Sequence, residues 1–540
     1  MMWIQNYNPF GNQALSFIIA LLPVAIMLFL LTVIRVKGYI ASILTLGATI
    51  LIALVWGMPP LITVLSGLYG FLYGLFPIVY IICIAFLLYN LVVDHGHFQK
   101  MRKTMEQLTA DRRLQLLLIG FGFTAFLDSI AGFVAPVAIS TSILISLGFP
   151  ALRAACLCLV ASAVPAAYGA IGIPVVVMSK VTGLDLQQLS ATIAQIIPFM
   201  SFLIPGWLVI ALSGWQKARE VGLHIFCCSF AYAFSTWLVA TYMGPYLAGV
   251  IPALVSLGVL LGIIKHQPPV TVYRFANDEF PAGKTELRWL DLGREWFPFI
   301  LATMTVMIWN IPAVNRLLDT VTIVLPIYGL DNMVMKVPPA GFQVELLPAV
   351  LTVNVVSSMG TAILVATWLT AWWLRISPAG YVKTLVGTLR QMKWPTINMG
   401  SVFGLAFIIN FSGMSSTLGL EFAATGSFYP FFTPLLALLG SFIVGSNTAT
   451  NAMFGALEVV SAEKLGFDPI LAASILSCGT VAGKMVAPQA VAVAASAAKL
   501  MGREGEIFTY VLKQSVIFAF ILGVLAMIAV YICKTSLLFI

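Results

Sequence analysis

The chain has 540 residues, 60% of them hydrophobic and only 9% charged, with a mean hydropathy of +1.01. Apolar runs long enough to span a bilayer recur throughout, which excludes a soluble multidomain enzyme and predicts an all-α polytopic membrane protein. The net charge of +8 reads as basic cytoplasmic loops, not as a nucleic-acid surface.

Spans are predicted near 14–35, 39–57 and 62–93, the last interrupted at Pro77. Residues 94–113 follow with Lys100, Arg102, Lys103, Arg112 and Arg113. Residues 114–147 hold two apolar arms around Asp128 and Pro136, each too short to cross, and read as a re-entrant hairpin. Further spans are predicted near 152–177, 191–213, 222–242 and 245–265, before a hydrophilic linker at 266–295. The second half offers spans near 297–314, 346–374 and 395–412, a hairpin near 431–464, and spans near 467–495 and 512–533. The expected fold is about 12 transmembrane helices plus two re-entrant hairpins. Its units are an N-terminal repeat at 1–265, a cytoplasmic linker at 266–296 and a C-terminal repeat at 297–540. With both termini extracytoplasmic, 22 of the 28 Lys and Arg fall in cytoplasmic loops.

The second hairpin carries Gly445-Ser446-Asn447-Thr448-Ala449-Thr450-Asn451 after the apolar run 435–444. Polar, irregular backbone at membrane depth is tolerated only where protein lines a cavity, so this stretch reads as a binding site. A shift of 318 residues lays Asp128 on Ser446, Leu147-Gly148-Phe149 on Leu465-Gly466-Phe467, and Pro165 on Gly483. Helix breakers and polar residues therefore recur together. Residues 94–113 hold five Lys or Arg, whereas 412–431, their counterpart, hold none. The two units are expected to face opposite sides of the membrane, the inverted repeat of secondary transporters with a site near the midplane.

Ser446, Asn447, Thr448, Thr450 and Asn451 supply hydroxyl and amide groups beside a half-helix N-terminus, which suits a carboxylate; the alternative is polar packing between helices. Asp128, alone in the apolar stretch 120–147, reads either as a group that loads a proton or as an N-cap for the second arm. Lys484, beside Gly483 and Pro488, would neutralise an anion, pair with an acid such as Asp128, or snorkel to an interface. Ser129, Gly132 and Gln489 complete the expected substrate site. Enzyme chemistry is not expected: the four histidines lie in loops or near span ends, and neither His-Glu-x-x-His nor a Walker-type loop is present. Cys156 and Cys158 point to different sides of a helix, so no zinc site or disulfide framework follows. No cofactor or metal is expected. The expected partners are a small carboxylate, protons and the lipid bilayer; a homodimer is compatible with this reading.

Several stretches resemble the L-lactate permease family of bacterial carboxylate transporters over nearly the whole length. They include Trp3-Ile4-Gln5-Asn6-Tyr7-Asn8-Pro9, 67–74 (GLYGFLYG), Ala125-Phe126-Leu127-Asp128, Gly169-Ala170-Ile171-Gly172-Ile173-Pro174, 413–418 (GMSSTL) and Gly483-Lys484-Met485. The resemblance implies proton-coupled uptake of L-lactate, with D-lactate and glycolate as related substrates, across the bacterial plasma membrane. Where the family has Glu-Gly, this chain has Asp128-Ser129; where it has Gly, Val134; and where it has Asp, Asn447. Ser446-Asn447-Thr448 is also similar to the carboxylate signature of the divalent-anion/sodium symporters. That likeness implies an elevator-like division, with hairpins and broken helices moving against the other spans. A sodium-coupled carrier of another carboxylate and an anion channel or uniporter are the competing readings.

Overall fold

The computed structural model describes every residue except 1, 35, 98, 101–107, 133–134, 276–288, 341–343 and 534–540. Helices dominate because a chain in hydrocarbon must satisfy its backbone polar groups internally. Among the described residues, 11 helical runs are long and apolar enough to cross a membrane, or 12 if the bent pair Trp296–Asn310 and Pro312–Val321 counts.

The expected first spans appear as Gln13–Thr32, Gly38–Val55 and Pro60–Asp94, the last kinked at Phe76-Pro77, where Phe76 leaves the helical region (φ −132°, ψ 126°). Two expectations need correction. The span placed at 346–374 is helical only over Met359–Trp373, because Glu345–Leu347 and Val350–Val353 are strands. The span placed at 395–412 begins earlier, at Pro378, whose fixed φ suits the first helical turn. The strands form a small layer at one end of the molecule. Val350–Val353 pairs antiparallel with Ile323–Pro326, while Val334–Lys336 joins Glu345–Leu347 to Trp3–Ile4. Their β-branched apolar residues resemble span residues by hydropathy, but the run is too short to cross.

Hydrogen bonds mark the two ends of the bundle. On the strand face, Tyr69 Oη donates to the Val350 carbonyl at 3.1 Å, and Gln5 Nε2 to that of Asn410 at 2.8 Å. On the opposite face, Arg113 binds Asp111 and Glu220, each at 2.7 Å, and donates to the Lys217 and Thr271 carbonyls. Arg113 and Asp111 are fully buried, so this network clamps the base of the first hairpin, 112–146. The second hairpin, 429–465, is held at the strand face, where Lys336 Nζ lies 3.8 Å from Glu463. The hairpins therefore enter from opposite faces.

The 318-residue shift holds well outside the hairpins. Pro60–Asp94 and Pro378–Ser412 are both 35 residues long, with Pro77 and Pro395 at equivalent points. Ala151 and Pro469, and Leu186 and Glu504, begin further equivalent helices. Inside the hairpins the shift fails. The first turns at Gly132 (φ 62°) and the second at Gly445 (φ 69°), 313 residues apart. The arms differ in length: Ala135–Ser146 returns over 12 residues and Asn447–Leu465 over 19. Asp128 and Ser446 are consequently not structural equivalents; Asp128 lies one turn before its tip and Ser446 at the other.

Each return arm packs on a half-helix of the other unit: Asn447–Leu465 on Gly169–Thr182, and Ala135–Ser146 on Pro488–Ala497. Gly38–Val55 and Pro60–Tyr73 pack on Pro378–Ser412, and Met359–Trp373 packs on Tyr80–Asp94, as a surrounding frame. Within the hairpin body the helices approach closely. A Cβ on Gly483 would lie 2.3 Å from the Leu438 carbonyl oxygen, so only glycine fits there.

Candidate functional site

The second hairpin turns where Gly445 adopts the left-handed conformation that ends Tyr429–Val444. Ser446 then caps the return arm, its Oγ accepting from the Ala449 N–H at 3.3 Å. Opposite this tip the helix Gly169–Thr182 is broken at its start: Ala170, Ile171 and Gly172 all have positive φ (46°, 59°, 73°). Two consecutive non-glycine residues in that region store strain, a feature concentrated at functional sites. The break frees carbonyls. Asn447 Nδ2 donates to that of Ala166 at 3.0 Å, and Asn451 Nδ2 to that of Pro174 at 2.9 Å.

Asp128 and Lys484 meet here although 356 residues separate them. Lys484 Nζ lies 2.6 and 2.7 Å from the two carboxylate oxygens; Asp128 is fully buried and the Lys484 side chain is 13% exposed. Asp128 belongs to the last turn of the first arm, so it is an ion-pair partner and does not start the second. Lys484 occupies the last turn of Pro469–Val486, where the helix dipole favours a cation. Its ammonium also faces a cavity of about 50 Å³ walled by both hairpin tips and the broken helix. From the frame, Ile82 and Met399 reach the wall.

Gly132, Ser446, Asn447, Thr448 and Lys484 line this cavity together, with Asp128 directly behind Lys484. Other expected site residues lie elsewhere. Ser129 is buried and donates to the Ala125 carbonyl at 2.7 Å, packed toward Gly249. Thr450 donates to the Ser446 carbonyl at 2.9 Å and pairs with Ser441, stiffening the tip. Asn451 ties the return arm to Pro174 and to Ser477 Oγ (3.0 Å). Gln489 rests on Gly445 and Gly38, outside the cavity lining. Sequence reasoning missed Ala166, Ala170 and Pro174 as cavity walls, although the Gly-x-x-Gly-x-Pro run from Gly169 to Pro174 marks a helix break. It also missed Glu458, a fully buried acid on the return arm that accepts from Thr433 Oγ1 at 3.2 Å. An acid beside Val459 and Val460 was its signal.

An ammonium, an amide, hydroxyls and the N–H groups of a helix start converge on a small half-open recess, which suits a carboxylate. Among the described residues no His, Cys, Asp or Glu cluster could hold a metal ion. Asn447 Oδ1 is buried without a hydrogen-bond partner, which leaves one acceptor free for a ligand hydroxyl.

The L-lactate permease family model matches residues 16–533. The chain is 37% identical to the L-lactate permease of Escherichia coli K12 over 545 residues, covering 98% of each protein. It is 38% identical to the L-lactate permease of Bacillus subtilis 168, covering 95% of this chain and 96% of that one. It is 36% identical to the glycolate permease GlcA of E. coli K12, covering 98% of each. Among solved structures, the Alcanivorax borkumensis YdaH transporter aligns at 13% identity and a TM-score of 0.40, over 83% of this chain and 84% of that one. The matches to the family model and to these permeases run almost end to end, and the chain belongs to the L-lactate permease family, whose members are transporters and not enzymes.

Proposed function

We propose that this transporter takes up L-lactate or a related small 2-hydroxy monocarboxylate, such as D-lactate or glycolate, together with protons. The observation that carries the reading is the Asp128–Lys484 pair opening onto a cavity lined by Ser446, Asn447 and Thr448. A substrate carboxylate entering the cavity competes with Asp128 for the one ammonium. When the substrate takes Lys484, an uncompensated buried carboxylate remains, and Asp128 removes that cost by binding a proton. The site holds no net charge before or after, so anion and proton travel as one load. Asn447 Oδ1 accepts the substrate's 2-hydroxyl, which distinguishes 2-hydroxy acids from plain ones. The hairpins and broken helices then move as one body past the frame, which among the described residues reaches the cavity through Ile82 and Met399.

In proteoliposomes, labelled L-lactate is expected to accumulate under an inward proton gradient, to fail under a sodium gradient, and to leak back when a protonophore is added. Asn447→Ala should raise the half-saturating concentration several-fold, since a hydrogen bond between neutral groups contributes about 0.5–1.5 kcal/mol. Equilibration without accumulation would instead establish a channel or uniporter.

We further propose that the strand face, which carries both ends of the described chain, is extracytoplasmic in a bacterial plasma membrane. Basic residues are sparse there and concentrated on the face of Arg112 and Arg113, in line with the positive-inside rule. Val270 and Tyr328 lie on opposite faces and are each 97% exposed. In intact cells, an impermeant maleimide should label a Tyr328→Cys variant, and a Val270→Cys variant only after permeabilisation. Labelling of both from outside sinks this orientation.

A further inference from the structure

Two larger cavities lie on the strand side of the small one, and neither belongs to it. One, of about 530 Å³, separates Tyr69, Tyr73 and Asn410 of the frame from the end of the broken helix. The other, of about 490 Å³, is walled by Tyr246, Asn310, Asn354, Ser357 and Ser358. The two share Tyr73, Val176 and Lys180. Lys180 therefore stands at their junction, its ammonium 5.7 Å from the centre of the Tyr73 ring.

The charges around Lys180 are few. It forms no ion pair among the described residues. In the first cavity the other charged walls are Lys336, which pairs with Glu463, and Glu345, which sits across the strand pair from Lys336. In the second cavity Lys180 is the only charged group among its described walls; the rest are amides, hydroxyls and apolar side chains. Lys180 is exposed to these half-open cavities and has no carboxylate partner among the described residues, so its charge is left to attract an anion from solvent. Lys180 also ends the same half-helix that begins at Gly169, whose Pro174 lines the small cavity. One rigid element thus links both places.

We propose that Lys180 and Tyr73 form a second carboxylate-binding site, an antechamber on the strand face where the anion is captured before it reaches the cavity at Asn447 and Lys484. The inference rests on the carboxylate-transport reading only for the identity of the physiological anion. Capture by Lys180 concentrates anions near the small cavity and raises the effective affinity at low substrate concentration.

Chemical protection tests the site apart from transport. The purified full-length chain is treated with the acetylating reagent sulfo-N-hydroxysuccinimide acetate, and modification of each lysine is followed by mass spectrometry. L-lactate, glycolate, acetate or succinate is compared with chloride at equal ionic strength. At least one small carboxylate is expected to slow acetylation of Lys180 about fivefold, the scale of one partly screened charge pair, while Lys336 is unaffected. Lys180→Gln is expected to raise the half-saturating lactate concentration of uptake about fivefold and to remove most of its dependence on salt, with Lys180→Arg restoring both. If the wild type carries no lactate but a carboxylate protects Lys180, the transport reading falls and the site stands. If no carboxylate protects Lys180, or if Lys180→Gln transports with unchanged half-saturation and salt dependence, the antechamber is overturned.

Discussion

Asp128→Asn is expected to abolish accumulation under a proton gradient while counterflow exchange of substrate continues. Asparagine preserves the shape of a protonated aspartate but can neither gain nor lose the proton, so substrate moves without its partner. The ammonium of Lys484 is then left without its carboxylate, and breaking a buried pair costs roughly 3–5 kcal/mol. That cost is partly relieved here, because Lys484 is 13% exposed and faces the cavity, where substrate or water can replace Asp128. Lys484→Ala removes the cation the substrate would take and leaves fully buried Asp128 to neutralise itself by holding a proton throughout the cycle. It should lose both exchange and accumulation. Thermal unfolding in detergent provides the complementary readout. Each single variant should melt earlier than wild type, and the double variant Asp128→Asn, Lys484→Gln later than Lys484→Ala, because it needs no proton uptake and keeps most of the lysine's volume. Wild-type accumulation by Asp128→Asn would remove this residue from the proton path.

Gly132→Ala is expected to lower transport on the order of tenfold or more, since a residue forced into a rare conformation costs about 1–3 kcal/mol. Gly132 turns the first hairpin at φ 62°, ψ −157°, a region essentially reserved for glycine. An added Cβ would also lie 2.7 Å from the Cβ of Ala170, inside the broken helix. Strain and clash act on the same contact and push the tip away from the cavity wall. Gly466→Ala separates the two effects. Gly466 has a similar φ of 75° at the far end of the return arm, but nothing lies within 4 Å of an added Cβ. With ψ 30°, Gly466 lies in the left-handed region that alanine enters at about 1–2 kcal/mol, so this variant should lose somewhat less stability while transport per folded molecule stays near wild type. Equal loss of transport in both variants would show that backbone strain alone, not the tip contact, limits the carrier.

Much of the architecture is legible in the chain because hydrocarbon is an unforgiving solvent. Runs of apolar residues must become helices, and a run too short to cross must turn back. The predicted hairpins at 114–147 and 431–464 accordingly match 112–146 and 429–465 within a few residues. Helix breakers carry the same information: Pro77 and Pro395, and Gly148 and Gly466, recur at the same shift in sequence and in structure. The strands between 323 and 353 escaped this reasoning because hydropathy does not distinguish a short β-branched loop from the edge of a span.

The candidate site was legible in part. Asn447, Thr448, Asp128 and Lys484 announced themselves because polar groups at membrane depth are costly and persist only where something binds them. Which of them meet was decided by tertiary structure alone. Asp128 reaches Lys484 only because each hairpin packs on the broken helix of the opposite unit, an arrangement with no local sequence signature. The same packing turned Ser129 toward Gly249 and left Gln489 outside the cavity, although both sit beside residues that line it or contact its lining. Local chemistry in the sequence therefore determined which segments would cross, turn and carry polar groups. Long-range packing decided which polar groups face one another, because that depends on helix rotations set by contacts hundreds of residues apart.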